Sequence, residues 1–202
     1  EIGESAFYFC ESLTSITIPD SVTTIGDKSF YNCRSLTSVP IPDSVTTIGS
    51  HAIQLCTRLI SVTIPDSVTS IGYDAFSGCS SLTSVYITDI AAWCNISFGS
   101  AGSTPLYYAG YYAEHYHLAG NLYLNNELVT DLIIPDSVTT IGNYAFYNCD
   151  SLTSVTISDS ITAIGDFAFE GCGSLTSITI PDSVTAIGSS AFWDCTSLTS
   201  VT

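Results

Sequence analysis

Basic residues are almost missing from this chain: Lys28, Arg34 and Arg58 stand against nineteen carboxylates in 202 residues, for a formal charge of −16. A surface of that sign repels phosphate backbones and anionic lipid, so neither nucleic acid nor a membrane is an expected partner. No apolar run approaches the length a bilayer requires. Catalytic signatures are missing as well. There is no GxSxG, no HExxH and no glycine-rich phosphate loop, so no enzymatic activity and no cofactor are expected. A CxxC pair and a histidine at zinc-finger spacing are also lacking, which argues against a metal site. The opening residues Glu1-Ile2-Gly3 carry none of the basic, apolar and small-residue stretches of an export signal, but they fall inside a repeat and say nothing about location. With 46% apolar and 11% charged residues, the chain still has ample material for a buried core, as a soluble folded module.

What is present is repetition. IPDSVTTIG occurs at 18–26, 41–49 and 134–142, with near copies at 64–72, 157–165 and 180–188. Cys10, Cys33, Cys56 and Cys79 are each 23 residues apart, as are Cys149, Cys172 and Cys195. The two sets are separated by 70 residues, three repeats plus one. Such a period marks a solenoid, in which one unit cannot cover its own apolar face and must stack on its neighbours.

One unit reads L-x-x-V-x-I-P-D-S-V-x-x-I-G-x-x-A-F-x-x-C, as in Leu59, Val62, Ile64, Val68, Ile71, Ala75, Phe76 and Cys79. Alternating β-branched residues such as Val62 and Ile64 predict a short strand, ended by the Pro-Asp-Ser turn. A second extended piece is expected from Val68 to Ile71, with Gly72 freeing the backbone for the next bend. The A-F-x-x-C spacing predicts one or two turns of helix. The fold expected is therefore an α/β repeat solenoid, a right-handed, β-rich curved rod of parallel short strands and short helical turns. At the usual strand spacing its nine or so units would span about 40 Å. Residues 1–88 and 129–202 read as regular repeats of a single solenoid, and 89–128 as a degenerate or inserted double repeat. The chain opens and closes inside repeats, so it is expected to be part of a longer protein, with bare ends that favour end-to-end self-association.

These residues resemble the BspA-like leucine-rich repeats, a surface type with a 23-residue unit, over nearly the whole chain. The irregular stretches at 89–98, 105–109 and 121–135 resemble an interruption found in long members. The resemblance implies an extracellular or cell-surface protein of the horseshoe class that adheres to host or neighbouring-cell ligands.

Periodicity explains most residues that would otherwise suggest chemistry. Seven of the eight cysteines share one column, so they read as buried free thiols. The Asp column (Asp20, Asp43, Asp66, Asp89, Asp136, Asp159, Asp182) is expected to accept amide hydrogen bonds from the following Ser-Val turn, with interlayer calcium as the alternative. Outward strand positions form a hydroxyl carpet, Ser15 to Ser177 in one column and Thr17 to Thr179 in the other. Pro40, Tyr86 and Ile133 interrupt the second column, and this opposes an ice-binding role. Pro40 also removes an amide and should weaken local pairing.

The irregular segment is the exception. Leu106, Ala109 and Tyr111 would fill a degenerate strand, or Asn125-Asn126 would close a hairpin between 122–124 and 127–129. Here aromatic residues crowd together, Tyr123 among them, and the candidate ligand-binding set is Tyr86, Trp93, Tyr107, Tyr108, Tyr111, Tyr112, His115, Tyr116 and His117, because rings with polar handles suit interfaces and sugar sites. The bland alternative is that these rings pack over the gap where the columns fail. The expected function is adhesion or recognition of a protein ligand through the concave face and this aromatic insertion. The alternatives are a carbohydrate-binding or substrate-targeting appendage of an exported enzyme, and an architectural spacer.

Overall fold

The computed structural model describes residues 1–107 and 120–202. In chain order the strands are β1 (Thr24–Ile25), β2 (Thr47–Ile48), β3 (Ser61–Thr63), β4 (Ser70–Ile71), β5 (Ser84–Ile87), β6 (Ser97–Phe98), β7 (Asn121–Leu124) and β8 (Glu127–Leu128). They continue as β9 (Asp131–Ile133), β10 (Thr140–Ile141), β11 (Ser154–Thr156), β12 (Ala163–Ile164), β13 (Ser177–Thr179), β14 (Ala186–Ile187) and β15 (Ser200–Val201). The first extended piece of each unit builds two sheets, β3-β5-β7-β8 and β9-β11-β13-β15. The second piece builds two more, β1-β2-β4-β6 and β10-β12-β14. Pairing is parallel at one-repeat register, Thr47 against Ser70 and Ser154 against Ser177, so equivalent side chains lie over one another.

Val62 and Val85 point inward and are buried, while Thr63 faces out. Pro40 acts as expected: residues 38–40 form no strand, and the first-piece ladder begins only at β3. The Pro-Asp-Ser turn closes in repeat after repeat, with the Val45 amide donating to Pro42 O and the Val68 amide to Pro65 O, each at 3.0 Å.

The helical turns are not there. Each A-F-x-x-C stretch is a pair of consecutive turns, with positive φ just before Ala and just before Cys: 54° at Asp74 and 75° at Gly78 in one coil, 61° at Tyr144 and 55° at Asn148 in another. The reason lies in where the amides go. Amides of Ala75, Ser77 and Cys79 bond three residues back, whereas those of Lys28, Phe30 and Asn32 reach the next coil, at Ser50, Ala52 and Gln54 O. An α-helix would spend every amide on itself. Here alternate amides stitch coil to coil, so the correct description is a β-solenoid with almost no helix. Among the described residues the helical pieces are α1 (Ile90–Cys94) and a 3₁₀ turn at Ala101–Ser103.

Glycine after the second strand also serves differently than expected. A Cβ on Gly72 would sit 2.5 Å from Ser50 N and 2.7 Å from Gly49 C, so glycine is needed for the close approach of successive coils rather than for a special φ.

Inside, the columns fill a continuous core. Phe rings stack between coils, Phe146 on Phe169 at 5.2 Å and Phe169 on Phe192 at 5.4 Å. Phe146 is fully buried, so Phe146→Ala is expected to lower unfolding free energy by about 3–5 kcal/mol. The exposed Asp159→Asn should change it by no more than about 0.5 kcal/mol. Urea unfolding of both variants checks the contrast, and equal losses would contradict the stacked core.

Candidate functional site

Three features carry polar or aromatic groups: the junction around Trp93, the hydroxyl and thiol ladders of the repeat, and an aromatic patch on the first-piece strand face. At the junction, Asp89 caps α1 by accepting from the Ala91 and Ala92 amides at 2.6 and 3.2 Å. This is where the expected Asp-to-amide bonding occurs. Asp66 and Asp136 instead accept from the hydroxyls of Thr88 and Ser158, which stand where other repeats have Pro. Coil-to-coil amide capping by side chains falls to another column, just after the glycine. Asp27 accepts from the Ser50 amide and Asp166 from the Ser189 amide, both at 2.7 Å.

Trp93 is buried, and its indole N–H donates to Ala145 O at 2.7 Å. In regular coils that carbonyl takes an amide from the coil below, as Ala52 O does from Phe30 and Ala168 O from Phe146. Where the repeat decays no such amide arrives, and the indole replaces it. Likewise the Gly142 amide bonds to Cys94 O at 3.1 Å, in place of the usual isoleucine carbonyl. Trp93 is therefore a joint between the halves and lies away from the surface.

The hydroxyl columns are partly structural. Thr46 Oγ1 donates to Thr23 O, Thr176 Oγ1 to Thr153 O and Ser67 Oγ to Val45 O, each one coil back. Cysteines do the same inside. The thiols of Cys56, Cys79 and Cys172 donate to Phe30, Ile53 and Phe146 O at 3.1–3.2 Å, and all eight cysteines are free. Burial pushes the Cys79, Cys94 and Cys149 thiols up to about 12.

Of the remaining candidates, Tyr86 is half-buried on β5 and stacks on Tyr123 of β7, with ring centroids 4.9 Å apart. β7 and β8 form the hairpin, and Asn125 and Asn126 take φ of 52° and 68° at its tip. Leu128 lies directly opposite Tyr123, and residues opposite each other across an antiparallel pair share a face. Leu128 is 44% exposed. On the next sheet Asp131 and Ile133 flank the inward Leu132 on β9, and Ile133 is 69% exposed. From the sequence Tyr123 stands in the aromatic crowd, Asp131 among the outward strand positions and Leu128 in the hairpin, but none of the three is in the expected binding set. Aligning Leu122 with the inward column would have put Tyr123 beside Tyr86.

Tyr107 is placed elsewhere. It packs at 5.6 Å on Tyr147 in the turn column, where burial raises both phenols and Glu170 adds to the effect. Burial also raises Glu170, which is itself an exception to the exposed acids. Tyr108, Tyr111, Tyr112, His115, Tyr116 and His117 lie outside the described residues, as do Ala109 and Tyr111 of the alternative strand. Among the described residues no group of three or more His, Cys, Asp or Glu is placed to hold a metal, and no helix is long and apolar enough to cross a membrane.

The sequence pattern of the BspA type leucine rich repeat region matches residues 1–100 and 118–202, in six copies. The chain belongs to this family. Among solved structures, this BspA-type chain is similar to a leucine rich cell surface protein from Faecalibacterium prausnitzii A2-165 at 37% identity and a TM-score of 0.55, covering 90% of this chain and 42% of that one. A leucine-rich repeat protein of T. pallidum is 26% identical, with 98% and 71% of the two chains covered and a TM-score of 0.49. One from Eubacterium ventriosum is 26% identical, with 89% and 57% covered and a TM-score of 0.47. The chain thus spans less than half the length of the F. prausnitzii protein. No curated protein matches it.

Two predictions follow from the BspA-type coils. Trp93→Phe keeps an aromatic side chain but removes the N–H donor to Ala145 O together with the volume of the five-membered ring, and should cost at least about 1–3 kcal/mol in a urea melt; an unchanged midpoint would contradict the joint. Because the folded thiols titrate near 12 and unfolded ones near their ordinary value of 9, their contribution to stability is complete below pH 9. It declines as pH rises from about 9 toward 12, since the unfolded chain then binds fewer protons. Thermal melts across that window should show the decline, and a Cys149→Ala variant should show less of it.

Proposed function

We propose that this chain is a non-catalytic recognition module of the cell surface that binds a protein ligand through its first-piece strand face. Tyr86 and Tyr123 form the centre of that surface. Tyr108, Tyr111, Tyr112, His115, Tyr116 and His117 are proposed as further contacts from the aromatic insertion, while Tyr107 in the turn column and the buried Trp93 are left out of the set. The observation that carries the reading is the stacked pair of tyrosines standing in a column where regular coils carry Thr17, Thr63, Thr156 and Thr179. Large rigid rings with a polar edge give contact area at low entropic cost, and they are enriched in interfaces. Membership of the BspA-type family and the resemblance to a protein described as a cell surface protein support an extracellular setting. Stacked phenols also suit a sugar face, so a carbohydrate-targeting module is the second reading.

The test is surface plasmon resonance of the whole chain against purified matrix proteins, alongside a glycan array. The expected result is binding to a protein ligand that falls by about tenfold or more in Tyr86→Thr plus Tyr123→Thr, a loss of about 1.4 kcal/mol or more. Threonine is the residue of this column in regular coils, so the fold should be retained. Binding to glycans alone would favour the second reading, and protein binding unaffected by the double variant would remove the strand face.

A further inference from the structure

The first-piece strand ladder is interrupted in mid-chain. One sheet ends on β8, which pairs with β7 alone among the described strands, and the next begins on β9, which pairs with β11 alone. Between regular coils the ladder is continuous, as through β9, β11, β13 and β15. The break therefore leaves two strands with a main-chain edge that no described strand occupies. Strand edges without a partner are usually blunted by charge or covered, because they template the addition of another strand.

The side chains at the break are unusual for this chain. Leu128 and Ile133 are among its exposed large apolar groups, and Ile133 stands where neighbouring coils carry Thr156 and Thr179. Beside it is Asp131, where neighbouring coils carry Ser154 and Ser177. Ser154 Oγ and Thr130 Oγ1 both donate to the Asp131 carboxylate, which holds it below the usual carboxylate range and fixes it as an anion. Three departures from the repeat thus occur together, two apolar and one anionic.

Charge decides which partner fits. All three basic residues and only six of the nineteen carboxylates precede residue 59, so thirteen carboxylates and no Lys or Arg lie from there to the end. Among the described residues the one ion pair, Arg34 with Glu11 at 3.9 Å, belongs to the early coils. Among the described residues no Lys or Arg pairs with a carboxylate at the break.

Resting on the strand-face reading above, we infer that the β8–β9 break is a docking site for an extended, basic polypeptide segment of the ligand, in which Lys or Arg and apolar residues occupy every second position and so project from the same face. Its main chain pairs with an unoccupied strand edge, and on the outward face its apolar side chains cover Leu128 and Ile133 while its cationic side chains meet Asp131. The tyrosine pair beyond Leu128 offers ring faces to further cations. A glycan supplies neither the strand edge nor the positive charge.

The probes are two synthetic peptides of equal length, one repeating Lys-Thr-Val-Thr and the other Glu-Thr-Val-Thr, so that charged and apolar side chains share one face, and a neutral oligosaccharide. Each is titrated into the whole chain by calorimetry. The test variant is Asp131→Ser plus Ile133→Thr, which restores the repeat's own residues and so should fold; Asp159→Asn removes the same charge away from the break. The expected result is binding of the lysine peptide alone, weakened about tenfold in the test variant and unchanged in Asp159→Asn. Added salt should weaken it further. Equal loss in both variants, or none in either, would mean diffuse attraction to an acidic surface and would overturn the proposal. Binding of the glutamate peptide or the oligosaccharide in its place would overturn it too. Because Tyr86 and Tyr123 are untouched here, failure of this site leaves the strand-face test standing on its own result.

Discussion

Coil-to-coil hydrogen bonding of the backbone is the constraint on which the rest of this structure depends. Each coil must offer the next a fixed set of amides and carbonyls, and the strands alone do not supply enough, being only two to four residues long. The turn column supplies the remainder by sending alternate amides outward, from Phe30 to Ala52 and from Phe146 to Ala168. That requirement forbids helix there and forces residues such as His51 and Tyr144 into positive φ. A non-glycine residue in that region costs on the order of 1 kcal/mol, and the cost recurs in every coil because the alternative is a buried, unpaired backbone.

Much else in the sequence follows from the same stacking. Glycine at 49, 72 and 165 lets backbones approach, Thr and Ser hydroxyls cap carbonyls one coil back, and thiols serve the interior carbonyls that remain. Trp93 shows the constraint most clearly, since one indole N–H does the work of a missing backbone amide where the repeat fails. Residues that look chemically eventful are thereby committed to structure. Surface available for recognition is left mainly where columns break, around Tyr86, Tyr123, Leu128 and Ile133.

The solenoid, its period, the inward columns and the weakening at Pro40 were legible in the sequence because side-chain periodicity records them directly. Turns in place of helix were not legible, since A-F-x-x-C has the same spacing in either conformation and only the destination of the amides distinguishes them. The Asp column was misread because an Asp after Pro can cap its own turn or accept a hydroxyl from the next coil, and the outcome depends on whether that coil has Pro or, as at Thr88 and Ser158, a hydroxyl. At the candidate site, Tyr86 was visible as a break in a Thr column. Tyr123 was visible in the aromatic crowd, but its pairing with Tyr86 was hidden by the shift in frame through the irregular segment, and Trp93 appeared to be surface because its acceptor lies 52 residues away.

Residue-resolved native-state hydrogen exchange addresses the stitching of coils most directly. Amides of Phe30, Ile53, Phe146 and Phe169, which bond to the next coil, should be protected as strongly as strand amides, and should open together with them in one cooperative unit. Rapid exchange at these four positions, at the rate of open surface turns, would contradict the account.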